Sequence, residues 1–156
     1  MLYWIPVFCR RDYFQILVDS LVYCIEHKGL LVHAYALMPN HFHLVSSQQE
    51  GRLSDTIRDL KRHTASTLLK KLDADGRQLW LRAFNRKDGE GPKVWQDAFH
   101  PEQVHSQPFF EQKVNYIHDN PVRAGYVDNP EDWKYSSAGV YYRDTSSPVP
   151  ITFIEW

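Results

Sequence analysis

His41 and His43 stand on either side of Phe42 in a segment whose residue types suit an extended strand. Side chains alternate along a strand, so both imidazoles project from one face and Phe42 from the other. Two imidazoles at that spacing can hold a divalent cation side by side, with positions left for a third ligand and for a substrate oxygen. The same pair can also serve a purely structural end. Further along, Tyr116 and Asn120 fall four apart in a helical pattern, roughly 40° apart around the axis. A deprotonated phenol is a nucleophile, and a carboxamide oxygen can ligate a metal. The pair gains chemical meaning where its helix lies against the histidine face. Elsewhere Tyr116 is a packing residue, and Asn120, before Pro121, is a helix C-terminal cap.

Positioning these groups falls to the elements around them. In residues 13–27 the apolar side chains Phe14, Leu17, Val18, Leu21, Val22 and Ile25 recur with helical period, and Lys28-Gly29 supplies a stop. Residues 30–38 form an apolar run suited to a strand, Pro39-Asn40 marks a turn, and 41–47 follow as a second strand, which together predict a hairpin. Residues 51–72 read as a long helix with the stripe Leu53, Ile57, Leu60, Thr64 and Leu68. That helix sets Arg52, Arg58, Lys61, Arg62, Lys70 and Lys71 against Asp55 and Asp59, which is either a solvated face or a surface that tracks phosphates. Residues 73–93, with two Asp-Gly pairs and Gly-Glu-Gly-Pro, predict a polar loop. Strand character returns around Val94-Trp95 and Phe99. Residues 107–120 predict a helix that buries Phe110, Val114 and Ile117 and ends at Pro121. An aromatic, acidic tail covers 128–156.

The order helix, strand, strand, helix, strand, helix, tail is α+β. A further strand would complete a β-α-β-β-α-β unit. Residues 1–8 are what remains for it, and Pro6 makes them a poor strand. At 156 residues the chain fits a single domain over 1–156, with a core of about 12–127 and a tail of 128–156. Hydrophobic residues at 43% and charged residues at 24% exclude a disordered or fibrous chain. A formal net charge of -1 excludes a strongly basic chromatin-type binder but permits a locally basic face. Aromatics reach 14%, and Trp95 and Trp133 are candidates either for base stacking or for the core. Cys9 and Cys24 read as two reduced thiols. The chain shows neither a membrane-length apolar run nor a leader-like start, so a cytoplasmic protein is expected.

Three blocks carry a specific likeness. They are Met38-Pro39-Asn40-His41-Phe42-His43-Leu44-Val45, then Val94-Trp95-Gln96-Asp97-Ala98-Phe99-His100, then Tyr116-Ile117-His118-Asp119-Asn120-Pro121-Val122-Arg123-Ala124-Gly125. With the ending Pro130-Glu131-Asp132-Trp133-Lys134-Tyr135-Ser136-Ser137-Ala138, they resemble the HUH single-tyrosine transposases. The nearest branch is the insertion-sequence-200-like one that includes the REP-associated tyrosine transposases. The resemblance runs from about Asp12 to Tyr142. It implies a ferredoxin-like antiparallel sheet with helices on one face, its first strand here short or missing, followed by a C-terminal helix and tail. The missing strand would border the histidine strand, and its loss would leave an apolar edge with unpaired backbone groups.

The resemblance further implies an enzyme that cuts and rejoins single-stranded DNA beside imperfect hairpins. On that pattern Tyr116 is the nucleophile, and His41, His43 and Asn120 hold the metal, Mg2+ or Mn2+. Imidazole ligands suit manganese better than magnesium. Attack by Tyr116 would give a 5′-phosphotyrosine and a free 3′-hydroxyl, conserving the bond for rejoining without ATP. Arg58, Lys61, Arg62 and Arg123 are the candidate DNA contacts, with Arg10, Arg11 and His63 as further ones. Single-stranded or hairpin DNA is the expected partner, a homodimer is common in the family, and a bacterial, nucleoid-associated location follows. Two rivals use the same residues: a catalytically silent regulator that grips DNA or RNA hairpins, and a metal-dependent phosphodiester hydrolase.

Overall fold

Leu30–Leu37 (β1) and Phe42–Gln48 (β2) pair as an antiparallel hairpin around the Pro39-Asn40 turn, as their apolar content and turn residues dictate. The computed structural model describes residues 5–85, 91–96 and 101–156. Leu37 faces Phe42, Ala36 faces His43, Tyr35 faces Leu44 and Ala34 faces Val45. The register then shifts around His33, so that Val32 faces Ser46. The His33 ring is bonded to the Thr152 carbonyl and the Ser47 hydroxyl.

The pleat sorts the hairpin into two faces. Tyr35, Leu37, Phe42 and Leu44 point into a core built with Arg11–Lys28 (α1) and Leu53–Ala74 (α2). α1 supplies Phe14, Leu17, Val18 and Leu21. It stops at Gly29, whose φ of 69° places it in the left-handed region while its N–H reaches the Cys24 carbonyl. α2 supplies Ile57, Leu60, Leu68 and Leu72. On the other face Ala34, Ala36 and Val45 meet Phe110, Val114 and Ile117 of Gln107–Arg123 (α4). The α+β class is as expected, but helices cover both faces rather than one. Every β1 residue except Leu31 is buried, and a strand apolar on both sides needs cover on both.

Several boundaries differ from expectation. The sheet has two strands among the described residues. Val94 and Trp95 are buried in the main core without strand pairing, and Phe99 lies outside the described residues. Residues 5–8 are not a strand either, yet Val7 and Phe8 are fully buried and the Phe8 N–H donates to the Pro39 carbonyl. The expected loop over 73–93 contains a short helix, Gln78–Phe84 (α3), anchored by the fully buried Phe84.

The expected tail is part of the fold. A 3-10 turn, Pro130–Asp132, leads to a stretch that runs along the free edge of β1, and a last helix follows, Ala138–Arg143 (α5). The Leu37 N–H donates to Tyr135, Ser137 N–H donates to Tyr35, and Thr152 N–H donates to Val32. Ala36 and Ser136 form an antiparallel bridge. Backbone groups that a neighbouring strand would satisfy are met by this returning segment. Cys9 is exposed, Cys24 buried, and both are free thiols.

Candidate nuclease site

His41 immediately precedes β2 and His43 lies within it, and alternation sends both rings to the α4 face. Their Nε2 atoms are 3.1 Å apart and the rings are nearly perpendicular, at 89°. Asn40 fixes the other side of His41, its Oδ1 lying 2.5 Å from Nδ1. Burial, with His43 alongside, pushes the pKa of His41 down to about 4, and burial also lowers that of His43. Both rings are therefore held in the neutral form that ligates metals. Two nitrogens bound at right angles to one ion, each at about 2.1 Å, would be separated by about 3 Å, so the observed spacing fits paired coordination. Among the described residues no cluster of three His, Cys, Asp or Glu side chains is present.

α4 brings the phenol to the pair. Phe110, Val114 and Ile117 seat the helix on the small side chains of β1, and this turns Tyr116 toward β2. The Tyr116 ring meets His43 edge-on, 5.9 Å between centroids. It is 48% exposed, so the phenol is open to a substrate rather than packed among apolar groups. The Arg123 guanidinium sits 5.2 Å from its ring centroid. His118, fully buried two residues on, ties the helix down through Ser137 at 2.7 Å and the Tyr142 hydroxyl at 3.1 Å.

Asn120 lies one turn beyond Tyr116 and answers a local need. α4 runs through Pro121 to Arg123, although Pro121 was expected to end it. A proline inside a helix removes the N–H that would bond the carbonyl four residues back. That carbonyl is Ile117, and the Asn120 amide nitrogen donates to it at 3.4 Å and to Tyr116 at 2.8 Å. The side chain thus supports the helix with its nitrogen, leaving Oδ1 as the atom able to ligate.

The structure groups His41, His43, Tyr116 and Arg123 on one face. Arg58, Lys61 and Arg62 lie elsewhere: with Lys93 and Trp95 they line an open groove of about 400 Å³ on the side of the hairpin covered by α2. Their charge is partly spent internally. Lys28 bonds Asp59 at 2.7 Å, Arg62 reaches the same carboxylate at 3.0 Å, and Arg58 bonds Asp55 at 2.9 Å. The Lys28 hydrogen bond leads in holding the Asp59 carboxyl below its usual range. Lys61 donates to the Gln96 carbonyl. Trp95 is a core residue, bonded to Thr64 and stacked on Phe8. Trp133 is anchored to the Leu37 carbonyl. Sequence reasoning missed the orienting role of Asn40, for which adjacency to His41 was the available signal. It also missed the exposed Tyr126, which carries no motif.

Comparison with known proteins places the fold and the family. A REP-associated tyrosine transposase structure, solved bound to a REP hairpin, superposes with a TM-score of 0.60 at 18% identity, covering 94% of this chain and 78% of that one, which establishes the shared fold. A Haemophilus influenzae protein assigned to the REP-associated tyrosine transposases is 28% identical over 124 residues, 80% of this chain and 66% of the relative. The REP-associated tyrosine transposase of Escherichia coli K12 is 22% identical over 135 residues, 85% of this chain and 67% of the relative. The matches thus span about two thirds of each relative's length. The profile described as "Transposase IS200 like" matches residues 8–120, and the chain belongs to that family.

Proposed function

We propose that this chain cleaves and rejoins single-stranded DNA beside a hairpin, with Tyr116 as nucleophile. The observation that carries the reading is the ring contact of Tyr116 with His43, itself paired with His41, inside one chain. In this reading the Tyr116 oxygen attacks a phosphorus, its proton passes to water or substrate, and the P–O3′ bond breaks. The products are a 5′-phosphotyrosine and a 3′-hydroxyl, and the reverse attack by another 3′-hydroxyl rejoins a strand. His41, His43 and Asn120 would hold a divalent metal, Mg2+ or Mn2+, which when bound supplies charge to a non-bridging phosphate oxygen. Arg123 adds a fixed positive charge beside the phenol. The groove of Arg58, Lys61 and Arg62 would track phosphates away from the cut. Because phenol and imidazoles meet within one protomer, cleavage in cis is supported. The protein would act on DNA in the cytoplasm.

A second reading, a silent hairpin-binding regulator, draws on Asn120, whose amide already supports its own helix. Incubation of the protein with manganese and hairpin-flanked single-stranded DNA separates them. The strand transferase yields a covalent protein–DNA adduct that Tyr116→Phe abolishes while DNA affinity survives. Binding without an adduct in the wild type would favour the regulator. An adduct that persists in Tyr116→Phe would remove Tyr116 from the role, and turnover without any adduct would indicate a hydrolase.

A further inference from the structure

Beyond the helix that carries Tyr116, the chain builds an aromatic shelf. α4 closes with paired backbone bonds: the Tyr126 N–H donates to Pro121 and the Gly125 N–H to Val122. Gly125 sits at φ 74°, the left-handed conformation that this closure requires and glycine adopts readily. The turn therefore sets the direction of Tyr126. Its ring lies on Trp133, 5.4 Å between centroids and 27° between planes, and remains 49% exposed. Trp133 in turn donates its indole N–H to the Leu37 carbonyl at 2.9 Å and meets Phe14 edge-on. An exposed ring is thus backed by an indole bolted to the strand end nearest the His41 turn.

We propose that Tyr126, backed by Trp133, is a stacking platform for a nucleotide base close to the cleaved phosphate. The inference rests on the strand-transferase reading and adds a base contact to it. Three observations converge. A solvated aromatic face is held in one orientation before any ligand arrives, which limits the ordering cost of stacking. Tyr126 follows Tyr116 on the chain by ten residues, and its backing residue Trp133 is bonded to Leu37, which pairs with Phe42 between the two histidines. Arg123, three residues before Tyr126 on the chain, lies over the Tyr116 ring, where its guanidinium is available to a phosphate beside the phenol. Stacking tolerates any base, so the platform would position the strand more than select its sequence.

The test is binding of a single strand carrying 2-aminopurine at successive positions around the cleavage point. The wild type is expected to quench the probe at one position. Tyr126→Ala should abolish that quenching and weaken binding about tenfold. Tyr126→Phe should retain both, while Tyr126→Leu, which keeps apolar cover over Trp133, should behave like alanine. Thermal unfolding of each variant checks that the fold persists. If the wild type forms its tyrosine adduct while Tyr126→Ala and Tyr126→Leu bind with unchanged affinity and quenching, the platform is wrong and the function stands. If the wild type neither binds nor cuts single strands, the function itself fails and the platform with it.

Discussion

The two faces of the hairpin are built on different principles. Toward α1 and α2, the strands present Tyr35, Leu37, Phe42 and Leu44, large side chains interlocked with Phe14, Leu17 and Leu60. Toward α4, β1 presents Ala34 and Ala36, and the β2 segment presents the two imidazoles beside Val45. Large residues make the first face the main source of stability, because apolar burial scales with area. Small residues on the second let a helix come close enough for a phenol to reach a histidine. One face holds the molecule together and the other positions the chemistry, and adjacent residues of one strand serve both.

Truncation on the first face should produce the largest change. Leu37→Ala removes a fully buried side chain and should lower stability by about 2–5 kcal/mol, measured by urea unfolding, with adduct formation per folded molecule retained. A loss of adduct larger than the loss of folded protein would blur the division between faces. Filling the second face should do the reverse. Ala36→Leu should cost about 1–3 kcal/mol, yet lift α4 and suppress the Tyr116 adduct even in fully folded protein. Full activity in that variant would show that alanine is not what sets the approach of the helix. The smallest effect on stability lies at the rim. Arg58→Ala removes an exposed ion pair and should change stability by less than about 0.5 kcal/mol, while the salt dependence of single-strand binding should flatten by roughly 0.7 in logarithmic slope. An unaltered slope would take Arg58 off the DNA path.

Much of this division was legible in the residues. The spacing of Phe14, Leu17, Val18 and Leu21 specified α1, and His41–Phe42–His43 implied two rings on one face, because period alone fixes such directions. Pro121 misled, because a proline normally ends a helix and its compensation came from the side chain of Asn120, a contact that no periodicity encodes. α3 was missed since its few residues sit among turn formers and depend on burial of Phe84 rather than on helical propensity. Val94 and Trp95 have strand-forming types but obtained their burial without a ladder. The returning segment was unreadable for another reason. Its partners lie about a hundred residues away, and composition describes neither end of such a contact.

That distance has a consequence for the chain as it is made. The Tyr35 backbone is completed by Ser137, 102 positions later, and His33 by Thr152, 119 positions later. A ribosome therefore releases the hairpin long before the residues that close it, and the nascent protein must wait with the most apolar strand of the molecule unsealed. Such a strand is a template for the wrong neighbour. A product halted near residue 127 would contain every proposed catalytic group and still be bound for aggregation or degradation, so synthesis of the returning segment decides whether the completed site survives.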